Sequence, residues 1–239
     1  MTKPAEIKAV LFDLDGTLLP MDQDVFLKEY LQRLAMFVAP YGIEPKRMIE
    51  ATMIGTEAMI HNDGSRCNKE AFWKRFFELV GKEHIDLVEI TDKFYYGGFK
   101  EIKNFVGENA HARDAVAAAH NKGRKVVLAT NPVFPMSAQR ERISWLGLNE
   151  DDFDLITSYE NSTYCKPSPK YYLEICEKIG VEPENCLMIG NDEREDMKAA
   201  SEAGMQCFLI TDCRIMAKNF VWIGERGSFD QTVHLLERI

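Results

Sequence analysis

No C-x-x-C pair occurs among the six cysteines of this 239-residue chain, Cys67, Cys165, Cys176, Cys186, Cys207 and Cys213. That spacing argues against zinc and dithiol motifs and for reduced, mostly buried thiols. Positive charge is scarce. Lys and Arg total 29 against 38 Asp and Glu, a net charge of −9, which excludes a general nucleic-acid surface. No apolar run is long enough to span a bilayer. The first strand-like segment starts by about residue 8, which leaves no room for a signal peptide. A cytoplasmic protein with neither membrane nor nucleic-acid partners is expected. No internal repeat or low-complexity segment is present. What the chain does have is ample core material, 46% hydrophobic residues, in a length that suits one large domain or two small ones.

Five short apolar runs read as strands: 8–13, 125–130, 154–158, 186–190 and 207–211. A helical segment precedes each of the last four, at 112–121, 137–145, 169–179 and 196–203, and each is followed closely by a glycine suited to end it. Such alternation implies right-handed crossovers and a parallel sheet covered on both faces. The fold class is therefore α/β, a Rossmann-like three-layer core. Residues 21–105 break the rhythm. Helices are expected at 25–38 with Asp24 as N-cap, at 45–60 opened by Pro45, at 69–80 capped by Asn68, and at 83–96. An all-helical stretch of this length is too long for a connection. The expected division is a core of 1–20 and 106–239 with a helical cap domain at 21–105. Phe26, Tyr30, Trp73, Phe76 and Phe77, at helical spacing, read as cap core.

The first strand ends in Asp13-Leu-Asp-Gly-Thr17. Ligands in open α/β sheets bind just beyond the carboxyl ends of strands. There, one carboxylate can attack phosphorus and a second can move protons. Turn chemistry alone would also explain Asp-Gly-Thr. Three partners downstream add weight. Thr130 and Asn131 follow the second strand, where a hydroxyl and backbone N–H groups suit a phosphate oxygen as well as a helix cap. Lys166, before Pro167, is a compact charge suited to phosphate and to crowded carboxylates. Lys170 reads as solvated. The fourth strand ends at Gly190 and runs into Asn-Asp-Glu-Arg-Glu-Asp196. Asp192 and Asp196 fall on one helical face, with Glu193 and Glu195 expected to point elsewhere. Oxygen donors of this kind suit Mg²⁺.

In that order, D-x-D-G-T at 13–17, Thr130, Lys166-Pro167 and the Gly-x-Asp-x3-Asp block at 190–196 resemble the haloacid dehalogenase superfamily of phosphohydrolases along the whole chain. The resemblance implies a helical cap inserted after the first motif. It implies Asp13 as nucleophile and Asp15 as general acid/base, with Gly16 in the supporting turn. Thr130, Asn131 and Lys166 would bind phosphate. Mg²⁺ would be held by Asp13, by Asp15 through its backbone carbonyl, and by Asp192, with Asp196 orienting Lys166 or a metal-bound water. The register of the last block is open, since many members place Asp directly after Gly and this chain has Asn191 there. The expected activity is Mg²⁺-dependent hydrolysis of a small phosphorylated metabolite through an aspartyl phosphate. Asp15 argues against dehalogenase, phosphonatase and ion-pump relatives. A phosphomutase of the β-phosphoglucomutase kind is the enzyme alternative, although Pro20 and Val25 stand where that group has Asp and His. A non-catalytic phosphate-binding regulator is the other alternative, disfavoured because every expected role has a residue.

Overall fold

The computed structural model describes residues 5–239. Six parallel strands form one sheet among the described residues: β1 (Ala9–Phe12), β2 (Lys125–Leu128), β3 (Leu155–Ile156), β4 (Cys186–Gly190), β5 (Gln206–Ile210) and β6 (Arg226–Gly227). Their order is β3-β2-β1-β4-β5-β6, so the chain reverses its winding direction beside β1. Phe12 pairs with Leu128 on one side and Ile189 on the other. The residues that follow β1, β2 and β4 therefore emerge together at the carboxyl edge, at the switch point where α/β sheets bind ligands. β6 lies outside the five expected strands. It has two residues and no apolar run, and its pairing with Leu209 and Ile210 defines it.

The insert supplies α1 (Gln23–Val38), α2 (Pro45–Ile60), α3 (Asn68–Val80) and α4 (Leu87–Tyr96). The remaining helices are α5 (Ala112–His120), α6 (Met136–Ser144), α7 (Pro169–Ile179), α8 (Ala199–Glu202) and α9 (Phe229–Arg238). Alternation along β1 sends Val10 and Phe12 to one face of the sheet, under α5 and α9, and Ala9 and Leu11 to the other, under α7. The result is the three-layer α/β arrangement.

Three helix starts in the insert differ from expectation, one of them that of α4, which begins at Leu87 rather than at 83 because a separate turn, Lys82–His84, precedes it. Asp22, not Asp24, caps α1: its Oδ1 accepts from the N–H groups of Asp24 and Val25. Asn68 does not cap α3 but begins it. Its buried side chain instead donates to Pro132 O at 3.3 Å and lies 3.2 Å from Cys165 Sγ. The backbone N–H groups of Asn68 and Lys69 reach Ser162 O and Tyr159 O. The start of α3 is thus stitched to the core.

Helices α1–α4 share an apolar cluster around Tyr30, Leu34, Phe76 and Phe94, and Phe134 and Ala138 of the core belong to the same cluster. The two connections to the insert run side by side, with Met21 bridging Val106 and Gly107 N–H donating to Pro20 O at 2.7 Å. No described helix is long and apolar enough to cross a membrane, and all six cysteines are free thiols.

Candidate active site

The chain leaving β1 folds back at once. Leu14 O accepts from the N–H groups of Thr17 and Leu19, and Gly16 N–H donates to Leu19 O. Gly16 has φ of +89°, and a Cβ there would stand 2.3 Å from the Asn191 amide nitrogen. Only glycine fits that approach. This turn fixes Asp13, which is 7% exposed. The Thr17 hydroxyl lies 3.1 Å from both Asp13 Oδ2 and Asn191 Oδ1.

Lys166 reaches Asp13 from the loop before α7. Its Nζ is 2.7 Å from Asp13 Oδ1 and 2.6 Å from Asp196 Oδ1, and Lys166 and Asp196 are each 1% exposed. Burial works against this ammonium, but Asp13 and Asp196 outweigh it and hold the Lys166 pKa well above its usual value. Burial pushes the Asp196 carboxyl up, with Lys166 opposing. Asp196 Oδ2 also accepts from Asp192 N–H at 3.0 Å.

Thr130 follows β2, buried, with its carbonyl held by the Thr157 and Tyr171 hydroxyls at 2.7 and 2.8 Å. Asn131 turns its amide toward Glu195, with Nδ2 3.2 Å from Oε2, and its Oδ1 is buried without a donor. Lys170 is exposed beside the Tyr164 ring. Asp192 sits at the mouth of the last block, and its Oδ1 accepts from Arg194 and Glu195 N–H, each at 2.7 Å. Asn191 is the more deeply placed of the pair, 1% exposed, bonded to Thr17 and to Cys213 O.

The chain after Asp192 forms a π-helical turn, Glu193–Lys198. Asp192 O accepts from both Asp196 and Met197 N–H. The wider turn brings Glu195 to the site together with Asp196, contrary to the expected outward orientation of Glu195. Burial and the neighbouring charges of Asp192 and Asp13 raise the Glu195 carboxyl, with Lys166 opposing. Glu193 points away as expected, bound by Arg214 and by the Ala217 and Trp222 N–H groups.

Arg142 on α6 is a site residue with no sequence motif to announce it. It is fully buried, and its Nη1 lies 2.7 and 2.6 Å from Asp15 Oδ1 and Oδ2. Gln139 bonds the other end of the guanidinium, and Phe134 stacks under it at 4.6 Å. Burial raises the Asp15 carboxyl, while Arg142 pulls it down. Asp15 is thus a carboxyl whose proton affinity is set by burial against the Arg142 charge, two residues from a carboxylate fixed at a strand end.

The family model for haloacid dehalogenase-like hydrolases matches residues 7–204. The chain belongs to the haloacid dehalogenase-like hydrolase family. It is 27% identical over 215 residues to a phosphoglycolate phosphatase of Salmonella typhi, covering 85% of this chain and 81% of that protein. It is 28% identical over 207 residues to a phosphorylated carbohydrates phosphatase of Thermotoga maritima, covering 84% and 83%. The crystal structure of a HAD phosphatase from Thermococcus onnurineus shares the fold, with a TM-score of 0.59 at 22% identity over 96% of this chain and 98% of the other.

Phosphatases of this family use Mg²⁺ by the resemblance drawn from the motifs, and the donors at the carboxyl edge fit it. Among the described residues no three acidic, His or Cys side chains converge on one point. Mg²⁺ does not need that, because it keeps waters and takes only one or two carboxylates. Burial raises the Glu195 carboxyl, and the Asp192 and Asp13 charges add to it; a divalent cation would offset that negative charge.

Proposed function

We propose that this hydrolase is a Mg²⁺-dependent phosphatase that cleaves a small phosphomonoester through an aspartyl phosphate on Asp13. The observation that carries the reading is the buried Lys166 ammonium bridging Asp13 and Asp196 at the switch point of the sheet. It orients one Asp13 oxygen and offsets the repulsion between a carboxylate and a phosphate dianion. The carboxylate forms a bond to phosphorus as the bond to the leaving oxygen breaks. Protonated Asp15 gives that oxygen its proton. Ionised Asp15 then takes a proton from water, whose oxygen attacks phosphorus and releases Asp13. Thr130, Asn131 and Lys166 hold the transferring group. Asp13, the Asp15 carbonyl and Asp192 would hold Mg²⁺, which supplies charge stabilisation on the phosphoryl oxygens when bound.

In this reading residues 21–105 form the cap on a core of 1–20 and 106–239, and the paired connections at Pro20–Met21 and Val106–Gly107 are the hinge. The names of the relatives support small phosphorylated metabolites as the substrate class. The test is hydrolysis of a phosphomonoester panel with Mg²⁺ by wild type and Asp13→Asn. Loss of nearly all turnover in Asp13→Asn supports the covalent route, because an amide forms no acyl phosphate. Wild-type turnover in Asp13→Asn rejects it.

A further inference from the structure

A cavity of about 260 Å³ lies between α1, α2 and the loop that continues from Asn131. Its core-side wall is Val133, Phe134 and Pro135. Arg142 links this wall to the catalytic acid: it binds Asp15 on one side and stacks on Phe134 on the other. Gln23, one turn before the lining residue Leu27 on α1, donates to the Asp15 carbonyl, and the lining residue Val133 follows Asn131 by two positions, so the cavity flanks the site. Leu27, Met53 and Ile60, at 39%, 45% and 40% exposure, mark its open side.

No Lys, Arg, His, Asp or Glu side chain lines the cavity. Six lining residues carry hydroxyls, and five of these are already committed. Thr52, Thr56 and Thr91 donate to carbonyls one helical turn back, Met48 O, Thr52 O and Leu87 O. Tyr30 and Tyr95 bond each other at 2.8 Å. One polar spot is left. The Trp73 indole N–H, near the Tyr159 hydroxyl, is buried without a partner among the described residues. A polyol or a carboxylate placed here would lose its water without gaining partners, which is costly. An apolar group would lose nothing. An apolar cavity of about 150 Å³ holds benzene, so this one has room for a ring with a short chain.

We propose that this cavity receives the organic group of the substrate, and that this group is an aryl or branched alkyl chain with at most one hydrogen-bonding oxygen. The inference rests on the phosphatase reading and narrows it away from sugar phosphates and phosphoglycolate. The Trp73 N–H and the Tyr159 hydroxyl are the partners for the single oxygen.

The test compares 2-phenylethyl phosphate, erythritol 4-phosphate and methyl phosphate, all with Mg²⁺, in wild type, Thr56→Phe and the milder Thr56→Met. Each buried methylene is worth about fourfold, so burial of the equivalent of even three to four of the seven added carbons should make kcat/KM for the phenylethyl ester exceed that for methyl phosphate by about 100-fold or more. The erythritol ester should gain no such advantage. Filling the cavity at Thr56 should cut the phenylethyl-to-methyl ratio at least tenfold. Calorimetry with 2-phenylethanol alone should show binding to wild type and its loss in Thr56→Phe. Preference for the erythritol ester, or a ratio unmoved by both Thr56 variants, overturns the proposal and leaves the phosphatase reading intact. Absence of turnover on all three esters is a failure of the phosphatase reading. The apolar site is then decided by calorimetry: 2-phenylethanol binding supports it, and no binding overturns it.

Discussion

Replacing Lys166 by Met tests the ionic centre of the site. The Met side chain keeps the apolar stem of Lys and removes only the ammonium. Asp13 and Asp196, at 7% and 1% exposure, then face each other with no cation between them. Breaking a buried pair costs about 3–5 kcal/mol because it strands an uncompensated charge. For a chain of this length that is a fall in Tm of about 6–20 °C. The pH dependence identifies the cause. The Lys166 pKa is raised in the folded protein, so its stabilising contribution is fully present below the unfolded value of about 10.4 and is lost only as pH rises through the folded value. Wild-type Lys166 therefore does not titrate between pH 5 and 8. In Lys166→Met the Asp196 carboxyl, already raised by burial, loses the ammonium that opposes that rise and takes up a proton as pH falls, so the deficit against wild type should shrink from pH 8 to pH 5. Adding Asp196→Asn removes one of the two stranded charges and should recover at least about 1 kcal/mol. Calorimetric melts at both pH values read all three quantities. A Lys166→Met protein that melts within 2 °C of wild type at pH 8 (less than about 1 kcal/mol), with no pH trend, refutes the buried ion triad.

Asp15→Asn should lower kcat on alkyl phosphates by about 10²–10⁴ and on p-nitrophenyl phosphate by less, since that leaving group barely needs a proton; an equal loss on both speaks against Asp15 as the acid. Arg142→Met removes the charge that opposes burial at Asp15, so the Asp15 inflection in the pH–rate profile should move upward, and an unmoved inflection would show that the pair does not set it. Titrating activity against Mg²⁺ separates the two readings of the last block. Asp192→Ala should raise the Mg²⁺ requirement more than Asn191→Ala, and the reverse order assigns the ligand to Asn191, which lies closer to the Thr17–Asp13 contact.

The strand ends and their acids were legible because buried parallel strands read as apolar runs and their chemistry sits just past them. Pro45 and Pro169 marked two helix starts to the residue, since proline suits the first helical turn. Three features were not legible, each for a physical reason. β6 is a strand by pairing alone, with Gly227 and Arg226 carrying no apolar pattern. Glu195 reaches the site because the turn is π-helical, while the 3.6-residue period placed it outside. Arg142 looks like one more charge on a polar helix until the fold buries it against Asp15, 127 positions away in sequence. The apolar cluster of α1–α4 is completed by Phe134 and Ala138, which lie outside residues 21–105.

Transfer of phosphorus through Asp13 can be trapped directly. Acid quenching during turnover with Mg²⁺ and a good phosphomonoester, followed by borohydride reduction, converts an aspartyl phosphate to homoserine that peptide mass spectrometry can locate. Homoserine is expected at position 13, dependent on substrate and absent from unreacted protein. Homoserine at a different aspartate, or at none while hydrolysis proceeds and a known acyl-phosphate enzyme is labelled in parallel, would contradict it.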